Sequence, residues 1–215
     1  MRIGLFGGSF DPVHNAHLAL ARAALAHLKL DQLHWVPAGQ PWQKTQGPQA
    51  RILAPAPHRV AMVELAIAGE ERFLLNTTEV DRDGPSYTID TVRELQAHFS
   101  SAQVFLLIGQ DQYNGLPTWR DWRELLSRVT LAIAVRGKGS LVPPPQMAAV
   151  WHRAEILPMA PMNLSSTAIR HHVANGGLAM DLAPTLVPEA VARYIDQHRL
   201  YAGAAHHPTE LNGHS

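Results

Sequence analysis

Along this chain apolar positions fall into two kinds of spacing, and the changes from one to the other mark out the elements. Arg2–Phe6 is a short apolar run closed by Gly7-Gly8, the pattern of a buried strand that ends in a tight turn. From Ala16 to Leu30 the spacing turns helical, with Leu18, Ala21, Leu25 and Leu28 recurring three and four residues apart. Leu33–Pro37 reads as a second strand. A loop rich in Pro, Gly and Gln follows (Ala38–Pro57), longer than most connections in compact domains and of the kind that often carries function. His58–Ala68 resumes helical spacing, with Gly69 where a C-cap belongs.

Phe73–Val80 reads as a strand and Ser86–Phe99 as a helix. Val104–Ile108 is an uninterrupted apolar strand ending at Gly109. Thr118–Asp121 has the spacing of a capping box ahead of Leu125-Leu126. Val129–Val135 and Glu155–Leu157 supply further strands, and helices are expected from about Ser165 and from Pro188 to about Leu200. Strands alternating with helices imply an α/β fold, a parallel sheet covered on both faces, with a helical C-terminal portion. Ala202–Ser215 has no periodicity and is expected to fray, leaving one domain over 1–201.

Composition narrows the chemistry by exclusion. Of 215 residues 46% are hydrophobic, enough for a packed core. Lys and Arg number 18, and so do Asp and Glu, so nothing in the balance calls for nucleic acid or an acidic membrane as partner. With no cysteine, thiolate metal sites, disulfides and a cysteine nucleophile are excluded. The N-terminal apolar run is too short for a signal peptide and no stretch approaches a membrane span, so a cytoplasmic protein is expected.

Two segments carry candidate chemistry. The first strand runs into Gly7-Gly8-Ser9-Phe10-Asp11-Pro12-Val13-His14-Asn15-Ala16-His17. This is neither a P-loop nor a GxGxxG turn, but it shares their logic. Glycines let the backbone come close to a ligand, and the helix that follows offers N–H groups and a positive dipole end to an anion. His14 and His17 stand three apart, so both rings leave one face as potential cationic donors to a phosphate. The pair also fits ordinary core or surface histidines, or half of a metal site for which no third ligand stands at a familiar spacing. The second segment is Asn163-Leu-Ser-Ser-Thr-Ala-Ile-Arg170. Ser165, Ser166 and Thr167 are good helix N-caps on their own account. Arg170, four residues after Ser166, adds a guanidinium on the same face, a combination that suits a polyphosphate. Arg136 and Lys138, after the fifth strand, are placed to add charge at the same sheet edge. Lys44 either folds over the phosphates or is a solvated surface lysine.

Gly7–His17 resembles the (His/Thr)-x-Gly-His signature of the nucleotidyltransferase superfamily, with Ala16 in place of its glycine. Asn163–Arg170 resembles the ISSTxIR motif of the same superfamily, with Leu164 for isoleucine. Gly84-Pro-Ser-Tyr-Thr-Ile-Asp-Thr91, the run Ile108–Trp119, Arg59–Met62 and Val187–Ile195 are similar to segments of bacterial nicotinate-nucleotide adenylyltransferases, so the resemblance spans residues 1 to about 201.

The resemblance implies a Rossmann-like, doubly wound sheet and an AMP transfer from ATP to nicotinate mononucleotide, with release of pyrophosphate. It implies that His14, His17, Lys44 and Arg170 share the catalytic work. Gly7, Gly8, Ser9, Phe10, Gly109, Asp111, Arg136, Ser165, Ser166 and Thr167 would join those four in binding ATP. Ser9, Thr88, Trp119 and the backbone around Arg120 would take the acceptor, with Trp119 stacked on the pyridine and Thr88 on its carboxylate. Read from the sequence alone, Trp119 is a core aromatic at a helix start. Mg²⁺ would arrive with ATP, held by triphosphate oxygens and by no protein ligand set. The rivals are the same fold acting on nicotinamide mononucleotide or on a phosphopantetheine-type acceptor, and a non-catalytic nucleotide-binding regulator.

Overall fold

β1 (Arg2–Gly8) is the axis of the molecule. In this computed structural model, which describes residues 1–40, 52–135, 141–159, 162 and 164–203, it pairs on one side with β2 (Gln32–Pro37) and on the other with β4 (Gln103–Gly109). β3 (Phe73–Leu75) lies outside β2, and β5 (Thr130–Ala134) and β6 (Arg153–Leu157) lie outside β4. The order is β3-β2-β1-β4-β5-β6 and every pairing is parallel, with Leu5 opposite His34 on one neighbour and Leu106 on the other.

The apolar runs are continuous because both faces of the sheet are buried. Ile3, Leu5, Val104, Leu106, Ile108, Leu131 and Ile133 feed one core; Phe6, Phe105, Leu107 and Ala132 feed the other. The second core is closed by α1 (Asn15–His27), α2 (Ala56–Ile67), α7 (Ser166–Ala174) and α8 (Glu189–Gln197). The first is closed by α4 (Thr88–His98), α5 (Gln110–Gly115) and α6 (Trp122–Arg128). α3 (Thr78–Asp81) is a single turn after β3. No helix among the described residues is long and apolar enough to cross a membrane.

Chain connections leave β1 and β4 in opposite directions, which opens a crevice beyond the carboxyl ends of these two strands. Gly7 and Gly8 close one and Gly109 the other.

Two local expectations are corrected, and one element is added. The strand expected over Phe73–Val80 stops at Leu75, because the Asn76 side chain accepts the Thr78 N–H at 3.0 Å and turns the chain into α3. Thr118 does not cap a helix: its hydroxyl donates back to the Gly115 carbonyl at 2.7 Å, and Asp121, at φ 49°, precedes α6 instead. The short helix α5, directly after β4, was not anticipated. Its first turn is closed by the Gln112 side chain, whose Oε1 accepts the Gly109 N–H at 2.9 Å. The two C-terminal helices begin where expected, Ser165 capping α7 by accepting the Ala168 N–H at 3.2 Å.

Candidate active site

The crevice at the switch between β1 and β4 holds a cavity of about 330 Å³. One wall is the β1 turn, Gly7 to Phe10, with His17 and Ser166; the opposite wall is Ser86-Tyr87-Thr88 with Trp119 and Arg120. Gly109 and Gln112 lie between them at the end of β4.

The β1 turn is shaped by its own side chains. Phe10, 1% exposed and held at φ 44°, tucks its ring under Gly8, so close that a Cβ on Gly8 would stand 3.0 Å from it. Gly7 is different: a Cβ there would meet no protein atom within 4 Å. It faces the open crevice, so the turn can be approached at backbone distance on that side.

His14 and His17 do converge, their rings stacked with centroids 3.8 Å apart. The two are not equivalent. His17 lines the cavity, and its Nδ1 accepts the His14 backbone N–H at 3.1 Å, so the ring proton lies on Nε2. His14 sits beneath, buried, with Nδ1 lacking a hydrogen-bond partner, and burial pushes its pKa down to about 4. The expectation of two cationic donors is corrected at His14: at neutral pH that ring is uncharged.

Arg170 lies in the first turns of α7 and reaches the back of the same loop. Its guanidinium donates to the Asp11 carbonyl at 2.7 Å and to the Thr167 hydroxyl at 3.2 Å, and stands 3.9 Å from the Asp11 carboxylate. Asp11, 1% exposed, also accepts from the Tyr201 hydroxyl at 2.8 Å and from the Ala54 N–H at 3.1 Å. Burial, and after it that charge, push the Tyr201 phenol well above its usual range. Ser166 ties α7 to the loop as well, its hydroxyl donating to the Pro12 carbonyl at 2.9 Å. Across the turn, the buried Arg59 donates to three carbonyls: Ala54 at 2.9 Å, Ser9 at 3.0 Å and Gly39 at 3.2 Å. A guanidinium so enclosed is tolerable only because each arm has an acceptor.

On the other wall Thr88 opens α4, and the Arg120 guanidinium lies 4.7 Å over the Tyr87 ring. Trp119 is half-buried against the core beneath α6, which leaves part of its indole on the cavity. Its place as a core aromatic and its place on the crevice are thus the same place.

Of the residues singled out from sequence, Gly7, Gly8, Ser9, Phe10, His17, Thr88, Gly109, Trp119, Arg120 and Ser166 line one cavity. His14 and Arg170 stand directly behind its glycine wall, and Ser165, Thr167 and Asp111, at the starts of α7 and α5, are not among the lining residues. Lys44, Arg136, Lys138 and Asn163 lie outside the described residues. Glu79, Ser86, Tyr87 and Gln112 line the cavity without having been assigned a role. Ser86 and Tyr87 stood inside the quoted Pro-Ser-Tyr-Thr segment, which was the available signal. Glu79 had none, since an acid in Thr-Glu-Val-Asp reads as a solvated helix turn. Among the described residues no group of three or more His, Asp or Glu is placed to hold a metal ion.

Comparison with known proteins places this geometry. A family model described as cytidylyltransferase-like matches residues 5–172. A protein of Methylibium petroleiphilum named "Probable nicotinate-nucleotide adenylyltransferase" is 59% identical over 201 residues, covering 94% of this chain and 92% of its own length. A Bordetella pertussis protein of the same name is 47% identical over 205 residues, covering 93% and 98%. The solved structure of Plasmodium falciparum nicotinic acid mononucleotide adenylyltransferase complexed with NaAD aligns with a TM-score of 0.73 over 93% of this chain and 97% of that one. At 16% identity this is a likeness of fold. With one family model fitted from β1 into α7 and such identity across nearly the full length of its relatives, this chain belongs to the cytidylyltransferase-like family, among the nicotinate-nucleotide adenylyltransferases.

Proposed function

We propose that this chain transfers the AMP part of ATP to nicotinate mononucleotide, forming nicotinate adenine dinucleotide and pyrophosphate in NAD biosynthesis. The observation that carries the reading is a single crevice with a glycine-and-histidine wall on one side and Thr88, Trp119 and Arg120 on the other. The first wall suits a triphosphate and the second a pyridine ring.

An oxygen of the acceptor's phosphate forms a bond to the α-phosphorus of ATP. The bond from that phosphorus to the bridging oxygen breaks, and pyrophosphate leaves with the electron pair. A phosphate dianion is an adequate nucleophile at neutral pH, so the protein's task is alignment and neutralisation of charge. ATP enters as its divalent-cation complex, with Mg²⁺ as the proposed ion, carried on triphosphate oxygens as part of the substrate.

His17 has its proton on Nε2, which suits donation to an oxygen of the transferring phosphoryl group. His14 stacks behind it, and its backbone N–H holds the His17 ring in that tautomer. Ser165 and Thr167 offer hydroxyls, and Ser166 with them the start of α7, to the triphosphate. Arg170 acts through Asp11, fixing the loop, and adds positive potential from behind. Lys44, Arg136 and Asp111 complete the nucleotide side in this reading. Trp119 stacks on the electron-poor ring and Thr88 donates to its carboxylate.

Steady-state kinetics with nicotinate and nicotinamide mononucleotides test the acceptor. Wild type should favour the acid by about 10²–10⁴ in kcat/KM, since an amide would turn its NH₂ toward donors. Trp119→Ala should slow both acceptors alike, and Thr88→Ala should narrow the gap between them. Equal kcat/KM for the two acceptors in wild type would remove the nicotinate assignment.

A further inference from the structure

Glu79 is a carboxylate on the one-turn helix α3, 7% exposed, that nevertheless lines the crevice beside Ser86, Tyr87 and Thr88. A carboxylate taken out of water is costly unless it is bonded, and its partners say what it is for. Its hydrogen-bond donor is the Thr91 hydroxyl, at 2.8 Å from Oε1, and the Ser86 hydroxyl also favours its ionised form. Thr91 lies one helical turn after Thr88 on α4, and Ser86 two residues before it. Glu79 therefore holds the chain after Thr88 through Thr91, and the chain before it through Gly39, which packs on the Glu79 backbone and donates to Ser86.

Ser86 passes the restraint on. Its hydroxyl has one proton and two lone pairs. Its oxygen accepts the N–H groups of Gly39 at 3.0 Å and Gln40 at 3.2 Å, just past the end of β2. Gly39 packs against the Glu79 carbonyl so tightly that a Cβ would stand 2.0 Å from its oxygen. The Gly39 carbonyl is in turn held by Arg59, which also holds Ser9 in the glycine turn. Hydrogen bonds from Thr91 to Glu79, from Gly39 to Ser86 and from Arg59 to Gly39 and Ser9, joined by the close packing of Gly39 on the Glu79 backbone, thus connect the two walls of the cavity.

We propose that Glu79 is a positioning residue for the acceptor: it fixes Ser86–Thr88 in register with the β1 turn, so that a mononucleotide held at Thr88 presents its phosphate to the nucleotide wall. This rests on the assignment of that wall to the acceptor. Burial raises the carboxyl's pKa, while the Thr91 hydroxyl, the Arg82 charge and the Ser86 hydroxyl oppose the rise.

The test is the split between the two KM values in the full-length protein. Glu79→Ala should raise KM for the acceptor about tenfold or more, a modest misplacement being enough for that, and leave KM for ATP within about twofold. Glu79→Gln keeps an oxygen that accepts the Thr91 hydroxyl and should restore the acceptor KM to within about threefold of wild type. If Glu79→Ala does not fold, Ser86→Ala takes its place, with the same split expected. An acceptor KM close to wild type in the truncated variant, or an ATP KM that rises with it in proportion, overturns the proposal. So does a Gln variant as impaired as Ala. The KM is read with whichever mononucleotide the wild type adenylylates. A wild type that prefers the amide would therefore sink the acceptor assignment alone and leave the Glu79 result to stand or fall separately.

Discussion

His14 is uncharged at neutral pH: its ring is 5% exposed, Nδ1 has no hydrogen-bond partner, and burial holds its pKa near 4. Its contribution to the site is then shape and tautomer control over His17 rather than charge. The same burial carries a stability consequence whose sign is fixed. Between about pH 6.5 and about pH 4 the unfolded chain binds a proton at His14 that the folded chain does not. Stability present above pH 6.5 is accordingly lost as pH falls through that window and levels off below it, by roughly 3 kcal/mol from this group. His34, its pKa also lowered by burial, acts in the same direction. Urea unfolding of wild type and His14→Asn across the window measures this. The variant, which puts a favourable but non-titrating residue at the N-cap, should show a shallower fall, and an unchanged slope would mean that His14 titrates normally. Much at this scale was legible: glycines, histidines, Thr88 and Trp119 stood in recognisable runs. What Asp11, Arg59 and Glu79 do was not, because their meaning lies in partners the local sequence does not contain. Arg170 and Asp11 are 159 residues apart in the chain.

At the scale of elements, the β1 turn carries the design. Two adjacent glycines there serve different ends: Gly8 makes room for the Phe10 ring, and Gly7 leaves room for a ligand. Gly7→Ala separates the two. Its backbone is not in the left-handed region and the methyl meets no protein atom, so Tm should hold or rise slightly through the loss of unfolded-state entropy. The methyl would still intrude on the crevice, and KM for ATP should rise about tenfold, roughly 1.4 kcal/mol of lost binding. Thermal unfolding paired with ATP kinetics checks both halves; a KM equal to wild type would place the nucleotide elsewhere. Strands buried on both faces announced themselves as unbroken apolar runs, and so did the amphipathic helices α1 and α2. The elements that sequence patterning missed or misplaced, the end of β3, α3 and α5, are set by single side-chain bonds from Asn76 and Gln112. Such bonds leave no periodicity to read.

For the whole molecule, the strand order places the reacting groups. Reversal of the chain's direction at β1 and β4 puts one wall of the crevice on the first 20 residues and the other on residues 79–120, while α7 and Tyr201 return from the far end to brace the glycine turn. An overall charge of zero leaves local donors to do the recognition, which suits small anionic substrates better than a polyanion. The central claim is that this crevice joins the α-phosphate of ATP to the phosphate of nicotinate mononucleotide. Parallel reactions with ATP labelled at the α- or the γ-phosphorus test it most directly. The account predicts that α-label appears in nicotinate adenine dinucleotide, that γ-label appears only in pyrophosphate, and that neither is released without the acceptor. Transfer of γ-label to the mononucleotide, or release of labelled AMP with no acceptor present, would contradict it.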